Sequence, residues 1–222
     1  MSARRQEGFT IVELLVGMIV GLIVVFAAFA ILERAYTANK EASDRSDASQ
    51  RGRLAMDKVV QTLRSQVCIG AQRASLTAAD ANSVTLLVDL SGGVRAPERR
   101  TIAYTPATRT LSESVYAGSG TFPNYTYPAT PTTSRTLLTN AGPADGNPIF
   151  RYYALDVGGR GANTLLATPL SSADLARTSR ISIGFLSRPE LSTSDRFGTT
   201  LQDDVFVRSA DPANPAGGLS CL

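Results

Sequence analysis

The amino-acid sequence predicts an α+β protein in which one long N-terminal helix precedes an antiparallel β-sheet head. Two observations carry this prediction. Residues 11–68 contain no proline and begin with a continuous apolar run, which favours one uninterrupted helix. After Gly70 the pattern changes to short β-like runs that are separated by clusters of Gly, Pro, Ser and Thr. A helix followed by antiparallel strands is typical of the α+β class.

The composition fits one membrane segment and one modest domain. The chain has 222 residues, a formal net charge of +3 and no histidine. The absence of histidine excludes His-based catalytic triads and His metal sites. The charge is too small to indicate nucleic acid binding by itself. We therefore expect no enzymatic activity, no cofactor and no metal.

The first part of the helix is long enough to span a membrane. Residues 11–32, IVELLVGMIVGLIVVFAAFAIL, carry a single charge, and about 20 apolar residues cover a hydrocarbon layer. Arg4 and Arg5 precede this segment. The positive-inside rule therefore predicts a cytoplasmic N-terminus and an extracytoplasmic chain after Glu33.

The second part of the helix is predicted to be amphipathic and to run toward Cys68. One apolar stripe at helical spacing is suited to covering a sheet, while Asp57, Lys58, Gln61 and Arg64 face elsewhere. The stripe consists of Met56, Val59, Val60, Leu63 and Val67.

The head is predicted to begin with a three-stranded meander and to continue with further strands. A loop rich in Pro, Thr and Tyr is expected over residues 118–134, and a short helix over Ser172–Arg177 with a Ser or Asp cap. The predicted strands are 84–90, 100–105, 109–116, 136–139, 149–155, 180–187 and 205–208.

The two cysteines, Cys68 and Cys221, are too far apart in sequence for CxxC chemistry, and two cysteines do not form a zinc cluster. In an extracytoplasmic head we expect them to form a disulfide. The alternative is two separate buried thiols.

The N-terminal motif carries the functional information. Residues 4–16, RRQEGFTIVELLV, resemble the cleavage and methylation signature of type IV pilins and type II secretion pseudopilins. The resemblance implies cleavage by prepilin peptidase between Gly8 and Phe9 and methylation of Phe9. It also implies assembly with other pilins or pseudopilins at an inner-membrane platform, starting from a single-pass subunit in the cytoplasmic membrane and its lipid. The chain would then consist of a leader (1–8), a transmembrane helix (9–33), its amphipathic continuation (34–68) and the head (69–222).

Glu13 is the unusual residue of the apolar span. A carboxylate inside such a span costs about 3 kcal/mol unless it is compensated. Cleavage after Gly8 would place a new amine one helical turn before Glu13, at the positive end of the helix dipole. In the resembling family this glutamate pairs with the N-terminal amine of a neighbouring subunit during assembly.

Further features indicate which kind of pilin the chain resembles. Gly17 and Gly21 form a small-xxx-small pair that permits close helix approach or local loosening of the helix. Many major pilins carry a proline in the apolar span, whereas the first proline here is Pro97. Together with similarities in the runs IFRYYAL, SSADLARTSRISIGFL and DDVFVRSA, this favours a minor pilin or a J-type pseudopilin.

Three weaker patterns each allow two interpretations. Asp203 and Asp204 beside Gln202 could contribute to a calcium site or could be a solvated strand start.

The second pattern is a cluster of arginines with one tyrosine, which could bind DNA or be an ordinary exposed face. It comprises Arg95, Arg99, Arg100, Arg109 and Tyr104. Loop aromatics could be adhesive or could pin the loop to the domain; they are Tyr116, Phe122, Tyr125 and Tyr127.

Three functions follow from these observations. The first is a minor pilin or pseudopilin subunit that assembles into a pilus or secretion pseudopilus. The second is a DNA-binding minor pilin of a competence pilus. The third is a single-pass envelope protein that does not assemble.

Overall fold

The computed structural model of the protein describes residues 10–69, 75–155, 163–190 and 198–207. Helix α1 extends over Ile11–Arg64 and is followed by antiparallel strands. The predicted α+β, pilin-like architecture is confirmed. The chain divides into two units, Met1–Asp44 and Arg45–Leu222.

The first unit contains the apolar part of α1. Every large apolar side chain from Ile11 to Leu32 is exposed, by 49 to 85%. A surface of this kind is unfavourable in water and favourable in lipid. By length and composition, α1 is able to cross a membrane.

The C-terminal end of α1 lies at Arg64, ahead of the predicted end at Cys68. Gln66 forms a β-bridge with Val88, and the Val67 amide donates to the Leu87 carbonyl at 2.9 Å. Because these backbone groups bond to the sheet, they cannot continue the helix. Val67 therefore lies beyond the helix, although the sequence predicts it on the apolar stripe.

The elements of the head are β1 (Leu76–Ala79), β2 (Ser83–Val88), β3 (Glu98–Thr105), β4 (Thr110–Tyr116), β5 (Ser119–Thr121), β6 (Asn124–Thr126), β7 (Thr133–Leu138), β8 (Ala141–Pro143), β9 (Phe150–Leu155), β10 (Asn163–Leu166), α2 (Ser172–Arg177), β11 (Thr178–Ser187) and β12 (Thr199–Phe206). Within the described residues these strands form two five-stranded sheets and one hairpin. The first sheet has the order β1-β2-β3-β4-β7. The second has the order β10-β9-β11-β12, with β8 also paired to β11, and β5 and β6 form the hairpin.

Most of the predicted elements are confirmed. The meander corresponds to the antiparallel strands β2, β3 and β4. Helix α2 has the predicted bounds and is capped by Ser171, whose hydroxyl accepts from the Asp174 amide. The sequence misses β1, β5, β6, β8 and β10, which have only three or four residues each.

The apolar stripe of α1 packs into the core as predicted. Met56, Val59, Val60 and Leu63 are 0 to 7% exposed. Each fully buried side chain of this size contributes about 1.5–3 kcal/mol. The same core contains apolar residues from both sheets, among them Val84, Leu86, Val88, Ile102, Leu111, Phe150, Tyr152, Ile181, Ile183 and Phe185.

Gly52 lets α1 approach the second sheet closely. A methyl group at Gly52 would lie against the Leu201 side chain and only 2.8 Å from Ser187 Cβ. The Ser187 hydroxyl donates to the Ala48 carbonyl at 2.7 Å in a buried contact. A glycine costs a helix about 1 kcal/mol relative to alanine, and this close contact with the sheet explains its presence.

We expect Gly52→Val to lower the free energy of unfolding by about 2 kcal/mol, because overpacking a close contact costs about 1–3 kcal/mol. Chemical denaturation of the full-length protein in detergent measures the effect. The matched control is Arg53→Val, which places the same β-branched residue at an exposed position of the same helix. Equal stability of the two variants would contradict the close approach.

Candidate functional site

Glu13 closes a capping box at the N-terminus of α1. Its Oε2 atom accepts from the Thr10 amide at 3.2 Å and from the Thr10 hydroxyl at 3.1 Å. In return the Glu13 amide donates to Thr10 Oγ1 at 3.3 Å. These bonds satisfy backbone donors that have no partner within the helix. The carboxylate therefore has partners within its own chain.

Sequence analysis missed the role of Thr10, although Thr-x-x-Glu before an apolar run is a capping signature. Gly8 and Phe9 lie outside the described residues, as does the peptide bond between them. Cleavage, methylation of Phe9 and pairing of its amine with Glu13 therefore stay predictions.

Gly17 and Gly21 leave open space on the surface of α1. Outside the helix itself, no heavy atom lies within 4 Å of a Cβ built at either glycine. Another helix could approach closely at this position. Their role in helix packing stays a prediction.

Cys68 lies four residues after the end of α1 and is half-buried. Cys221 lies outside the described residues. The disulfide between the two cysteines therefore stays a prediction.

The head contains a buried charge cluster that sequence analysis did not identify. Glu113 of β4 is fully buried, and its Oε1 atom accepts from Arg100 Nη1 at 2.8 Å and from the Thr62 hydroxyl at 3.1 Å. Its Oε2 atom accepts from Arg135 Nε at 2.7 Å and also from Arg135 Nη2. Arg100 in turn donates to Glu98 at 2.6 and 2.9 Å. The cluster links α1 to strands β3, β4 and β7.

The electrostatics of the cluster keep Glu113 ionised. Burial by itself would raise the pKa of this carboxyl. Hydrogen bonds from Arg135 and Arg100 outweigh burial and hold the pKa of Glu113 below its ordinary value. A buried carboxylate with two guanidinium partners is a structural element rather than a proton carrier.

The predicted basic patch does not form one exposed surface. Arg99 and Arg100 are adjacent on β3 and therefore face opposite sides of the sheet. Arg100 belongs to the buried cluster, and Tyr104 is only 9% exposed. Arg95 and Arg109 lie beyond opposite ends of β3. The arrangement does not offer a continuous track of cations to a phosphate backbone.

The loop aromatics pin the segment after β6 to the first sheet. The Arg99 guanidinium lies 4.3 Å from the centre of the Tyr116 ring and 5.5 Å from that of Tyr127. Arg99 Nη2 also donates to the Pro128 carbonyl at 2.9 Å. Phe122 remains 69% exposed. Tyr116 belongs to β4 itself, and Tyr125 pairs with Gly120 in the β5–β6 hairpin. The pinning interpretation therefore fits Tyr127.

The acidic pair Asp203 and Asp204 lies inside β12 rather than at a strand start. Asp204 forms an ion pair with Arg180 at 2.8 Å, and Asp203 Oδ1 accepts from the Asp204 amide at 2.7 Å. Among the residues that the structure describes, no group of three or more His, Cys, Asp or Glu side chains could hold a metal ion. Calcium takes about six to eight oxygen ligands, which this pair by itself does not supply.

The N-terminal segment thus combines an apolar, lipid-compatible helix with one capped acid near its start. A family described as the prokaryotic N-terminal methylation motif matches residues 3–29. This match includes Gly8, Phe9, Glu13, Gly17 and Gly21. A comparison with curated proteins finds no match to the chain.

Proposed function

We propose that the chain is a minor pilin or pseudopilin subunit. Prepilin peptidase cleaves it after Gly8, Phe9 is methylated, and the mature subunit is anchored in the cytoplasmic membrane with its head outside. It then assembles with sister subunits into a type IV pilus or a secretion pseudopilus. The protein acts by polymerisation and contact rather than by catalysis.

The observation that carries this proposal is Glu13 within an otherwise apolar span that matches the methylation motif. In the unassembled subunit the Thr10 capping box and the helix dipole offset part of the cost of the carboxylate. A cleaved neighbour would supply a full positive charge at its new N-terminus. The gain from replacing a neutral partner with a charged one favours assembly.

The assignment as a minor subunit depends on two features of the sequence, one in the apolar span and one in the head. The apolar span has no proline, and the sequence likeness to J-type pseudopilins is confined to three short runs of the head. The DNA-binding alternative is not proposed, because Arg100 and Tyr104 are buried. The remaining alternative is a single-pass envelope protein that does not assemble, and the experiments test the proposal against it.

Intact mass spectrometry of the membrane-extracted protein tests the processing step. In a host with prepilin peptidase we expect loss of residues 1–8 and gain of one methyl group on Phe9. The control is the same host without the peptidase, where the full chain should remain. An unprocessed N-terminus in the presence of the peptidase would contradict the proposal.

A further inference from the structure

A cavity of about 310 Å³ lies beside the buried charge cluster. Its lining comes from α1 and from strands β3, β4 and β7 of the first sheet. Thr133 and Val115 complete a wall that is otherwise made of charged side chains. The lining residues are Lys58, Glu98, Arg100, Glu113, Val115, Thr133 and Arg135.

The lining of this cavity carries one excess positive charge, because three cations face two carboxylates. Glu113 is fully buried and already accepts hydrogen bonds from two arginines and one threonine. Glu98 is bound to Arg100 through two hydrogen bonds. Both carboxylates are therefore engaged, and neither forms an ion pair with Lys58.

Among the described residues that line this cavity, Lys58 is the cation that forms no ion pair. Its Nζ atom has one hydrogen bond, to the neutral Gln61 Oε1 at 3.4 Å. Burial is the largest cause that lowers the pKa of Lys58, and Arg135 and Arg100 lower it further, whereas Glu113 and Glu98 act in the opposite direction. Within the described part of the chain, this ammonium group with three donors is thus partly removed from water without a direct ion pair, although Glu113 and Glu98 act on it electrostatically.

Arg135 adds a second donor at the opening of the cavity. Its side chain is 48% exposed, whereas Glu113 below it is 0% exposed. The two hydrogen bonds to Glu113 use Nε and Nη2, which leaves the Nη1 group available. Lys58 and Arg135 together can therefore offer charge-assisted hydrogen bonds to one incoming anion.

We propose that this cavity receives the carboxylate of an Asp or Glu side chain from a neighbouring pilin subunit in the filament. The inference rests on the proposed function, since it requires assembly. A carboxylate would bring the lining to charge balance. A long polyanion such as DNA fits poorly, because Glu98 is 36% exposed at this site and would repel the following phosphates.

Zero-length carbodiimide cross-linking of intact filaments tests this inference directly, because it joins an amine to a carboxylate only when the two are in contact. The chain has two lysines, Lys40 and Lys58, and Lys40 is exposed on α1. We expect an amide bond between Lys58 and an acidic residue of another subunit, identified by peptide mass spectrometry. Mixing isotope-labelled and unlabelled subunits separates bonds between chains from bonds within one chain.

Charge variants of Lys58 provide the second readout. Lys58→Glu should lower incorporation into filaments at least tenfold, because like charges that meet at an interface cost at least about 1.4 kcal/mol, which corresponds to tenfold. Lys58→Arg should preserve incorporation, and Lys40→Glu is the matched charge-reversal control. If Lys58→Glu is unstable, the cross-link in the unmodified protein decides the question alone.

Three results would overturn the inference. One is a processed chain, present in filaments, whose Lys58 forms cross-links only with Glu98 or Glu113 of the same chain or forms no cross-link. Another is that inorganic phosphate protects Lys58 from acetylation in the unassembled full-length protein while no cross-link forms between chains. This result would indicate that the cavity binds a free anion. A chain that is unprocessed and absent from filaments would overturn both this inference and the proposed function.

Discussion

Glu13→Ala is expected to leave cleavage after Gly8 intact and to lower incorporation into filaments about a hundredfold. A carboxylate without a charged partner in the span costs on the order of 3 kcal/mol, and in the proposal that partner becomes available only on assembly. Each 1.4 kcal/mol changes an equilibrium tenfold. The peptidase acts at Gly8, before this pairing is needed. Quantitative immunoblotting of membrane and filament fractions measures both steps. Normal incorporation of the alanine variant would show that the charge is dispensable.

Glu13→Gln separates the charge of Glu13 from its capping role. Glutamine completes a capping box as glutamate does, so this variant keeps the bonds to Thr10 but loses the negative charge. We expect its incorporation to be as low as that of Glu13→Ala. Normal incorporation of Glu13→Gln together with failure of Glu13→Ala would instead assign the effect to capping of α1.

Glu113→Ala is expected to lower the free energy of unfolding by about 3 kcal/mol, because it breaks a buried ion pair and leaves the buried Arg100 Nη1 and Thr62 hydroxyl donors without their acceptor. Arg100, with a side chain only 9% exposed, would keep Glu98 as its one acidic partner. Arg135 is half-exposed and can turn toward water. Denaturant titration of the full-length protein in detergent measures the change.

The matched control for Glu113 is Glu98→Ala. Both glutamates bind Arg100, but Glu98 is 36% exposed whereas Glu113 is fully buried. Exposed ion pairs contribute about 0–1 kcal/mol, so the control should be much milder. A loss from Glu98→Ala as large as that from Glu113→Ala would contradict the central place of Glu113 in the cluster.

Stability should also fall in acid because of Glu113. Its pKa in the folded protein is lowered from the ordinary value, with its arginine hydrogen bonds outweighing burial. A depressed carboxyl pKa contributes stability that is fully present above the unfolded pKa of about 4.3 and is lost as the pH falls through the folded pKa. We therefore expect a decline below about pH 4 that Glu113→Ala lacks.

The sequence predicts the helix and the longer strands well because their patterns are periodic. The stripe from Met56 to Leu63 and the strands β2 to β4 repeat apolar residues at the spacing of their own structure. Strand β7 is harder to recognise, since its first four residues are exposed and polar. Its place is set by pairing with β4, which no local pattern reveals.

The site residues also differ in whether the sequence reveals them. Glu13 stands out in the sequence because it is the one charge in an apolar run. In the sequence Arg100 resembles part of a basic cluster, but the alternation of side chains along the strand turns it toward Glu113. The pairing of β4 with β7 brings Arg135 opposite Glu113. The charge cluster and the Lys58 cavity arise from register between distant strands and α1, so sequence spacing alone could not predict them.

The most direct test of the account is the N-terminal peptide of the chain recovered from the filament fraction of its own host. We expect a peptide that begins at Phe9 and carries one methyl group on that residue. Recovery of the chain only from membranes, or with residues 1–8 still attached, would contradict it.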